Sequence, residues 1–323
     1  MSTQETEAVL LPGQPEQDPR LFPADARLAD EPLEAGRRFR SAAPKVVRQW
    51  DWARPSNPIK YREVIARIPD GWGQEPRSTR KPPLLFIHGV AHGAWCFDEH
   101  WLDAAVAAGY PAYALSLRGH GGSDGADKIR TTSTRDYVAD VMQVITTLPE
   151  PPLLVGHSMG SRIAQFVAER YPTRGLVLLT PPALSSSAPA MLSLFKREPG
   201  DALAAIAGMT IPMRPSSLFH GLDDATALAY CRRMVPESPI AQYELLGPRK
   251  VGPVNAPVLV VGARNDTFVN EGAVTEVAAA YGTTPLWLAE IGHDVMLDAG
   301  QDRAFNAIAQ WLDLATRPEL RRL

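Results

Sequence analysis

Residues 151–172 read PPLLVGHSMGSRIAQFVAERYP, and the character of the chain changes at their centre. Leu153, Leu154 and Val155 form a short apolar run of the kind buried in a strand. After Met159 the apolar residues Ile163, Phe166 and Val167 recur at helical spacing, with Arg162, Glu169 and Arg170 on the other face. The junction is Gly156-His157-Ser158-Met159-Gly160. A reversal from strand to helix this tight forces its corner residue into a strained backbone conformation and requires small neighbours two positions away. The pattern G-x-S-x-G in that setting presents Ser158 Oγ at the carboxyl end of a sheet, above the positive N-terminus of a helix.

The flanking sequence repeats the same alternation. YREVIARIP (61–69), PPLLFIHG (82–89), YPAYALSL (110–117), RGLVLLTPP (174–182), APVLVVGARND (256–266) and TPLWLAEIGHD (284–294) are predicted strands. FDEHWLDAAVAAG (97–109), STRDYVADVMQVITTL (133–148), 270–281 and 301–315 are predicted helices. Such alternation implies a mostly parallel sheet with helices on both faces and an active site beyond the strands' carboxyl ends. The order breaks at 183–253, where short helical patterns lie between prolines. Its apolar residues Met191, Leu194, Phe195, Met209, Met213, Phe219 and Met234 suit an insertion packed over an apolar pocket. Residues 1–55 carry six prolines from Pro12 to Pro44 and read as an N-terminal arm, partly ordered, with a possible helix over Ala24–Arg40 and with Trp50 and Trp52 as anchors. The expected domains are therefore the arm at 1–55, a core at 56–182 and 254–323, and a helical lid at 183–253.

A serine nucleophile needs a base, an acid to orient it and donors for a developing oxyanion. Of seven histidines, His293 leaves the last predicted strand and is the expected base. His157 adjoins the serine but points sideways into the turn. Asp266 follows the neighbouring strand on the same rim and is the expected acid; Asp294 and Asp298 lie too close in sequence to His293. The expected oxyanion donors are the N–H groups of Met159 and of Val90, which follows a strand in FIHGVAHGAW (86–95). Val90, His157, Met159 and Phe195 are the expected substrate contacts. His88 and His92 suit loop-shaping hydrogen bonds better than a metal site, and no metal or cofactor is expected. In LRGHGGSD (117–124), Arg118 and Asp124 are expected to hold the loop shut.

A net charge of −3 with 21% charged residues gives no basic surface for nucleic acid or an anionic membrane. No apolar run approaches the roughly 18 residues of a membrane span. The start lacks a signal-peptide pattern, and Cys96 and Cys231 form no spacing motif, so a cytoplasmic protein with reduced cysteines and a small-molecule substrate is expected.

The chain resembles the serine-nucleophile branch of the α/β-hydrolase superfamily over about residues 60–315, through HG after a strand, RGHGGSD, GHSMG, GARNDTFV and GHDVML. The order Ser158, Asp266, His293 is the family's order. HGVAHGAWCF also resembles the oxyanion loop of plant methylesterases and hydroxynitrile lyases. The resemblance implies the α/β-hydrolase fold, with an eight-stranded-type sheet, and cleavage of a carboxylic ester, lactone or thioester of apolar character through an acyl-serine. A lyase using the same groups for proton transfer is the alternative it implies; lyases of that subgroup carry a lysine near the base, whereas here only Lys250 follows Lys196. A ligand receptor retaining the triad ranks behind both.

Overall fold

Leu84–Ile87 and Gly175–Leu179 are buried at every position, so these strands must be covered on both faces. The alternation of their side chains divides the interior in two. Phe86, Val155, Val177 and Val261 point into one core, and Leu85, Leu154, Leu176 and Val260 into the other.

The computed structural model describes residues 28–33, 38–42, 59–76, 79–185 and 199–316. Its strands are β1 (Leu28–Leu33), β2 (Arg38–Ala42), β3 (Tyr61–Arg67), β4 (Leu84–Ile87), β5 (Ala112–Leu115), β6 (Leu153–His157), β7 (Gly175–Leu179), β8 (Val258–Ala263) and β9 (Leu286–Leu288). They form one nine-stranded sheet in the order β1-β2-β3-β5-β4-β6-β7-β8-β9. From β5 to β9 all neighbours are parallel, whereas β1, β2 and β3 run antiparallel to their partners. The helices are α1 (Trp95–Asp98), α2 (Trp101–Ala107), α3 (Thr134–Ile145), α4 (Met159–Ala168), α5 (Pro199–Ile206), α6 (Pro215–Leu218), α7 (Asp224–Cys231), α8 (Pro239–Leu246), α9 (Glu271–Ala280) and α10 (Gln301–Ala315). Side chains of α1, α2 and α10 fill the first core, and those of α3, α4 and α9 fill the second.

Two expectations are corrected. Where the sequence allows a helix over Ala24–Arg40, the described residues Leu28–Leu33 and Arg38–Ala42 are antiparallel strands, β2 pairing Arg38↔Ile65 to Ala42↔Tyr61 along the open edge of β3. An unpaired row of edge N–H and C=O groups offers a partner that local propensity does not register. The single helix expected over 97–109 is two, broken at His100 (φ −143°). The break lets Trp101 bury completely against Phe305, with ring centroids 5.4 Å apart, and donate from Nε1 to the Gln301 carbonyl. Helix α3 starts as its sequence suggests, through a reciprocal capping box between Ser133 and Asp136. Phe195, Met191 and Leu194, together with Trp50 and Trp52, lie outside the described residues.

An ionic cluster pins β3 and the 117–124 loop to α3. Asp140 accepts from Arg62 Nε at 2.7 Å and from Arg118 Nε and Nη2 at 2.8 and 2.7 Å, all three residues being buried. Asp124 holds the same loop independently, accepting from the Tyr61 N–H at 3.0 Å. Cys96 and Cys231 are free. Among the described residues no helix is long and apolar enough to cross a membrane.

Candidate active site

At the end of β6 the backbone of Ser158 takes φ 51° and ψ −117°, a sparsely populated conformation for a residue with a side chain. It is held by the Ser158 N–H donating to the Leu179 carbonyl at 2.9 Å and by Ser161 Oγ donating to the Gly156 carbonyl at 2.7 Å. Both glycines of the motif are sterically obligatory. A Cβ on Gly160 would lie 2.1 Å from the Ile87 carbonyl oxygen, and one on Gly156 would lie 2.4 Å from the Gly160 oxygen. Helix α4 thus crosses β4 in backbone contact. The clash at Gly160 is with main chain, which cannot rotate away, so Gly160→Ala is expected to cost about 2–3 kcal/mol and to lower activity by displacing the serine. Urea unfolding and turnover measured side by side check this.

His293 stands on the loop after β9, with Nε2 3.0 Å from Ser158 Oγ. Its Nδ1 donates to Asp266 Oδ2 at 2.7 Å, while Asp266 Oδ1 accepts from the N–H groups of Phe268 and Val269 at 2.7 and 2.9 Å. The carboxylate is therefore oriented by the backbone two and three residues on, as well as by the histidine. Burial disfavours the His293 imidazolium, but the Asp266 charge and hydrogen bond outweigh it and raise the pKa above the usual 6.5. His157 lies behind the base and donates from Nε2 to the His293 carbonyl at 3.0 Å. Burial and the neighbouring His293 push its pKa down to about 3, so it is a neutral strut.

The loop after β4 approaches the serine through Gly89, where a Cβ would sit 3.0 Å from Ser158 Cβ. His88 is wholly buried, accepts the Leu117 N–H on Nε2 at 3.0 Å and donates from Nδ1 to the Gly89 carbonyl at 2.8 Å. The peptide is trans, so holding that carbonyl aims the Val90 N–H the opposite way. The Val90 N–H has no acceptor among the described residues. Met159 is the first residue of α4, where a helical N–H lacks an intrahelical acceptor. His92 faces an oxygen with each nitrogen, the Val90 carbonyl at 2.7 Å and Asp294 Oδ2 at 2.9 Å.

Of the expected substrate contacts, Val90 is partly exposed, whereas the side chains of His157 and Met159 are buried behind the serine and Phe195 lies outside the described residues. Two carboxylates not assigned from sequence support the site. Asp294 anchors His92. Asp298 accepts from the N–H groups of Gly292, His220, Gly221 and Ala299, tying the base's loop to the segment between β7 and β8. The signal for both lay in GHDVMLD, where a carboxylate follows the histidine by one and by five residues. Ligand atoms of His157, His293 and Asp294 lie within 4.8 Å of one another. A metal ion there would bind one nitrogen of His293 and so displace its hydrogen bond either to Asp266 or to Ser158.

The chain is 34% identical over 98 residues to methylesterase 3 of Arabidopsis thaliana, covering 29% of this chain and 36% of that protein. It is 31% identical over 121 residues to the monoglyceride lipase of Mus musculus, covering 35% and 39%. The matched stretches thus span little more than a third of these relatives' length. Among solved structures, the monoacylglycerol lipase of Paleococcus ferrophilus superposes with a TM-score of 0.55 at 19% identity, over 72% of this chain and 96% of that one. A soluble variant of the Saccharomyces cerevisiae monoglyceride lipase gives a TM-score of 0.61 at 15% identity, over 81% and 94%. These likenesses confirm the fold. The family model described as the alpha/beta hydrolase family matches residues 84–307, from β4 into α10, and the chain belongs to that family.

Proposed function

We propose that the protein is a serine hydrolase that cleaves a carboxylic ester of a mainly apolar small molecule. The observation that carries this reading is the unbroken line Asp266–His293–Ser158, at 2.7 and 3.0 Å. In the proposed cycle Ser158 Oγ attacks the acyl carbon as His293 Nε2 takes its proton, and the Val90 and Met159 N–H groups receive the oxyanion. Collapse expels the alcohol with that proton, and water activated by His293 releases the acid. A lactone or thioester would follow the same course. The relatives named methylesterase and monoglyceride lipase support an ester as substrate.

Aromatic side chains support the apolar preference. Trp95 stacks on His92 at 5.6 Å and on Tyr230 at 6.2 Å, Phe219 lies 6.0 Å from Tyr230, and Phe268 lies 5.1 Å from the His293 ring. Phe219 and Tyr230 belong to the segment between β7 and β8, which is proposed to serve as the lid over the pocket. Lys250 is exposed, which disfavours the lyase alternative. Incubation with a fluorophosphonate and a panel of p-nitrophenyl esters, followed by intact mass measurement, is expected to give one adduct and prompt turnover. An adduct without turnover of any ester would count against hydrolysis.

Because the base must be neutral to accept the proton, kcat/KM is expected to fall with acid below a midpoint above 6.5, following the raised His293 pKa. Asp266→Asn removes the charge that raises it, so that midpoint is expected to move down while kcat drops about 10³- to 10⁴-fold. A pH–rate profile of both proteins decides the matter. An unmoved midpoint would exclude His293 as the titrating base.

A further inference from the structure

The loop that carries the Val90 N–H is clamped one peptide group at a time. The peptide between Gly89 and Val90 is held by His88 on its carbonyl. The next is held at both ends, with His92 donating to the Val90 carbonyl at 2.7 Å and the Ala91 N–H donating to Glu237 Oε2 at 3.2 Å. The third is held by the Val235 N–H donating to the Ala91 carbonyl at 3.0 Å. Ala91 itself has φ 65°, the left-handed region that non-glycine residues seldom occupy. Such a residue persists only where its surroundings over-determine it. Both bonds made by its own N–H and C=O come from residues 235–237, in the segment between β7 and β8.

Glu237 is itself firmly seated. Only 2% of it is exposed, and its N–H donates to Thr210 Oγ1 at 2.8 Å. Oε1 accepts from the Ser238 N–H at 2.7 Å and from the Tyr137 hydroxyl, and Oε2 faces His120 Nε2 at 3.2 Å. His120 is wholly buried, with Nδ1 donating to the Arg118 carbonyl at 3.0 Å. Burial opposes charge on its ring, but the Glu237 carboxylate outweighs that and raises its pKa. A buried pair alone would only fasten the segment to α3 and to the 117–124 loop. The bond to the Ala91 N–H adds a second consequence, because it fixes the residue next to an oxyanion donor.

We propose that Glu237 is a positioning residue for the oxyanion loop, so that the hole is complete only while residues 235–237 are seated against it. The inference rests on the ester-hydrolase reading for its catalytic consequence. Its structural half, the clamp on Ala91, stands apart from any substrate. Glu237 touches no reacting atom and acts through the Ala91 peptide on Val90.

The experiment compares wild type with Glu237→Gln and Glu237→Asp. The first keeps the shape and loses the charge; the second keeps the charge but, one methylene shorter, draws the carboxylate back from Ala91 and from His120 alike, since Oε2 serves both. For each, kcat and KM with a p-nitrophenyl ester, inhibition by an aryl trifluoromethyl ketone, and amide hydrogen exchange at residues 90–92 are measured. The ketone forms a hemiketal, its carbonyl carbon bonding to Ser158 Oγ, the serine proton passing to His293 and the carbonyl oxygen becoming the oxyanion. The expected result is a fall in kcat of about tenfold to a hundredfold in both variants with KM within about twofold. Ketone affinity is expected to drop by a similar factor and exchange at 90–92 to quicken. Wild-type kcat, ketone affinity and exchange in a folded Glu237→Asp protein would overturn the proposal, leaving Glu237 a structural pair only, whether or not Glu237→Gln folds. If the wild type neither cleaves esters nor binds the ketone, the ester reading fails. Exchange at 90–92 then decides the clamp alone, faster exchange in the variants supporting it and unchanged exchange overturning it.

Discussion

Replacing Ser158 with alanine is expected to lower kcat for any ester substrate about 10⁵- to 10⁶-fold, leaving only the acceleration supplied by binding and the oxyanion donors. The loss comes from one atom. In the proposed mechanism Oγ is both the group that forms the acyl bond and the partner of His293 Nε2, so nothing else at the rim takes its place. The effects of Ser158→Ala and His293→Ala are expected to overlap rather than add, the double variant being about as slow as either single one. Stability should change little, because Ser158 is partly exposed and alanine keeps the Cβ that already tolerates φ 51°. Burst titration with a fluorophosphonate, needed to exclude traces of wild type, checks the first expectation, and thermal unfolding checks the second. Turnover within tenfold of wild type would remove Ser158 from the mechanism.

The largest loss of stability is expected at a residue remote from the serine. Asp140→Ala leaves Arg62 and Arg118 buried without the carboxylate they share. Removing one partner of a buried ion pair costs about 3–5 kcal/mol, a large part of the roughly 5–15 kcal/mol available to a domain. The variant is expected to unfold at a much lower urea concentration or to express poorly. Burial alone would raise the Asp140 pKa, but Arg62 and Arg118 reverse this and hold it below the usual 3.8. Its stabilisation is therefore complete above the ordinary carboxylate range and is lost as pH falls through the depressed value. A wild-type urea midpoint in Asp140→Ala would show that the cluster contributes nothing net.

The parts of this molecule that were legible in its sequence are those whose cause is local. Gly156 and Gly160 announce a strand meeting a helix at backbone distance, and Asp266 and His293 follow strand ends that apolar runs mark. The rest depends on partners far along the chain. Strand β2 pairs along the edge that β3 leaves open and β1 pairs with β2, a partnership that the local pattern of the arm does not register. Asp294 meets His92 across 202 residues and Glu237 meets Ala91 across 146. In the second case the donor is a backbone N–H, present at every residue except proline, so no side-chain pattern could have marked it. The position of the short break before Trp101 likewise reflects what α10 brings to that tryptophan.

His293, the proposed base, lies 135 residues from Ser158 and 27 from Asp266, and β7 must pair with β8 before the two halves of the site meet. A chain severed between those strands would yield one piece bearing the serine and another bearing the aspartate and histidine, each inert by itself. Turnover would then report reunion of the pieces, as a two-key lock reports both keys. The same separation is expected to make activity appear late during refolding, since a parallel pairing this remote must first meet the entropy of closing the long loop between its strands.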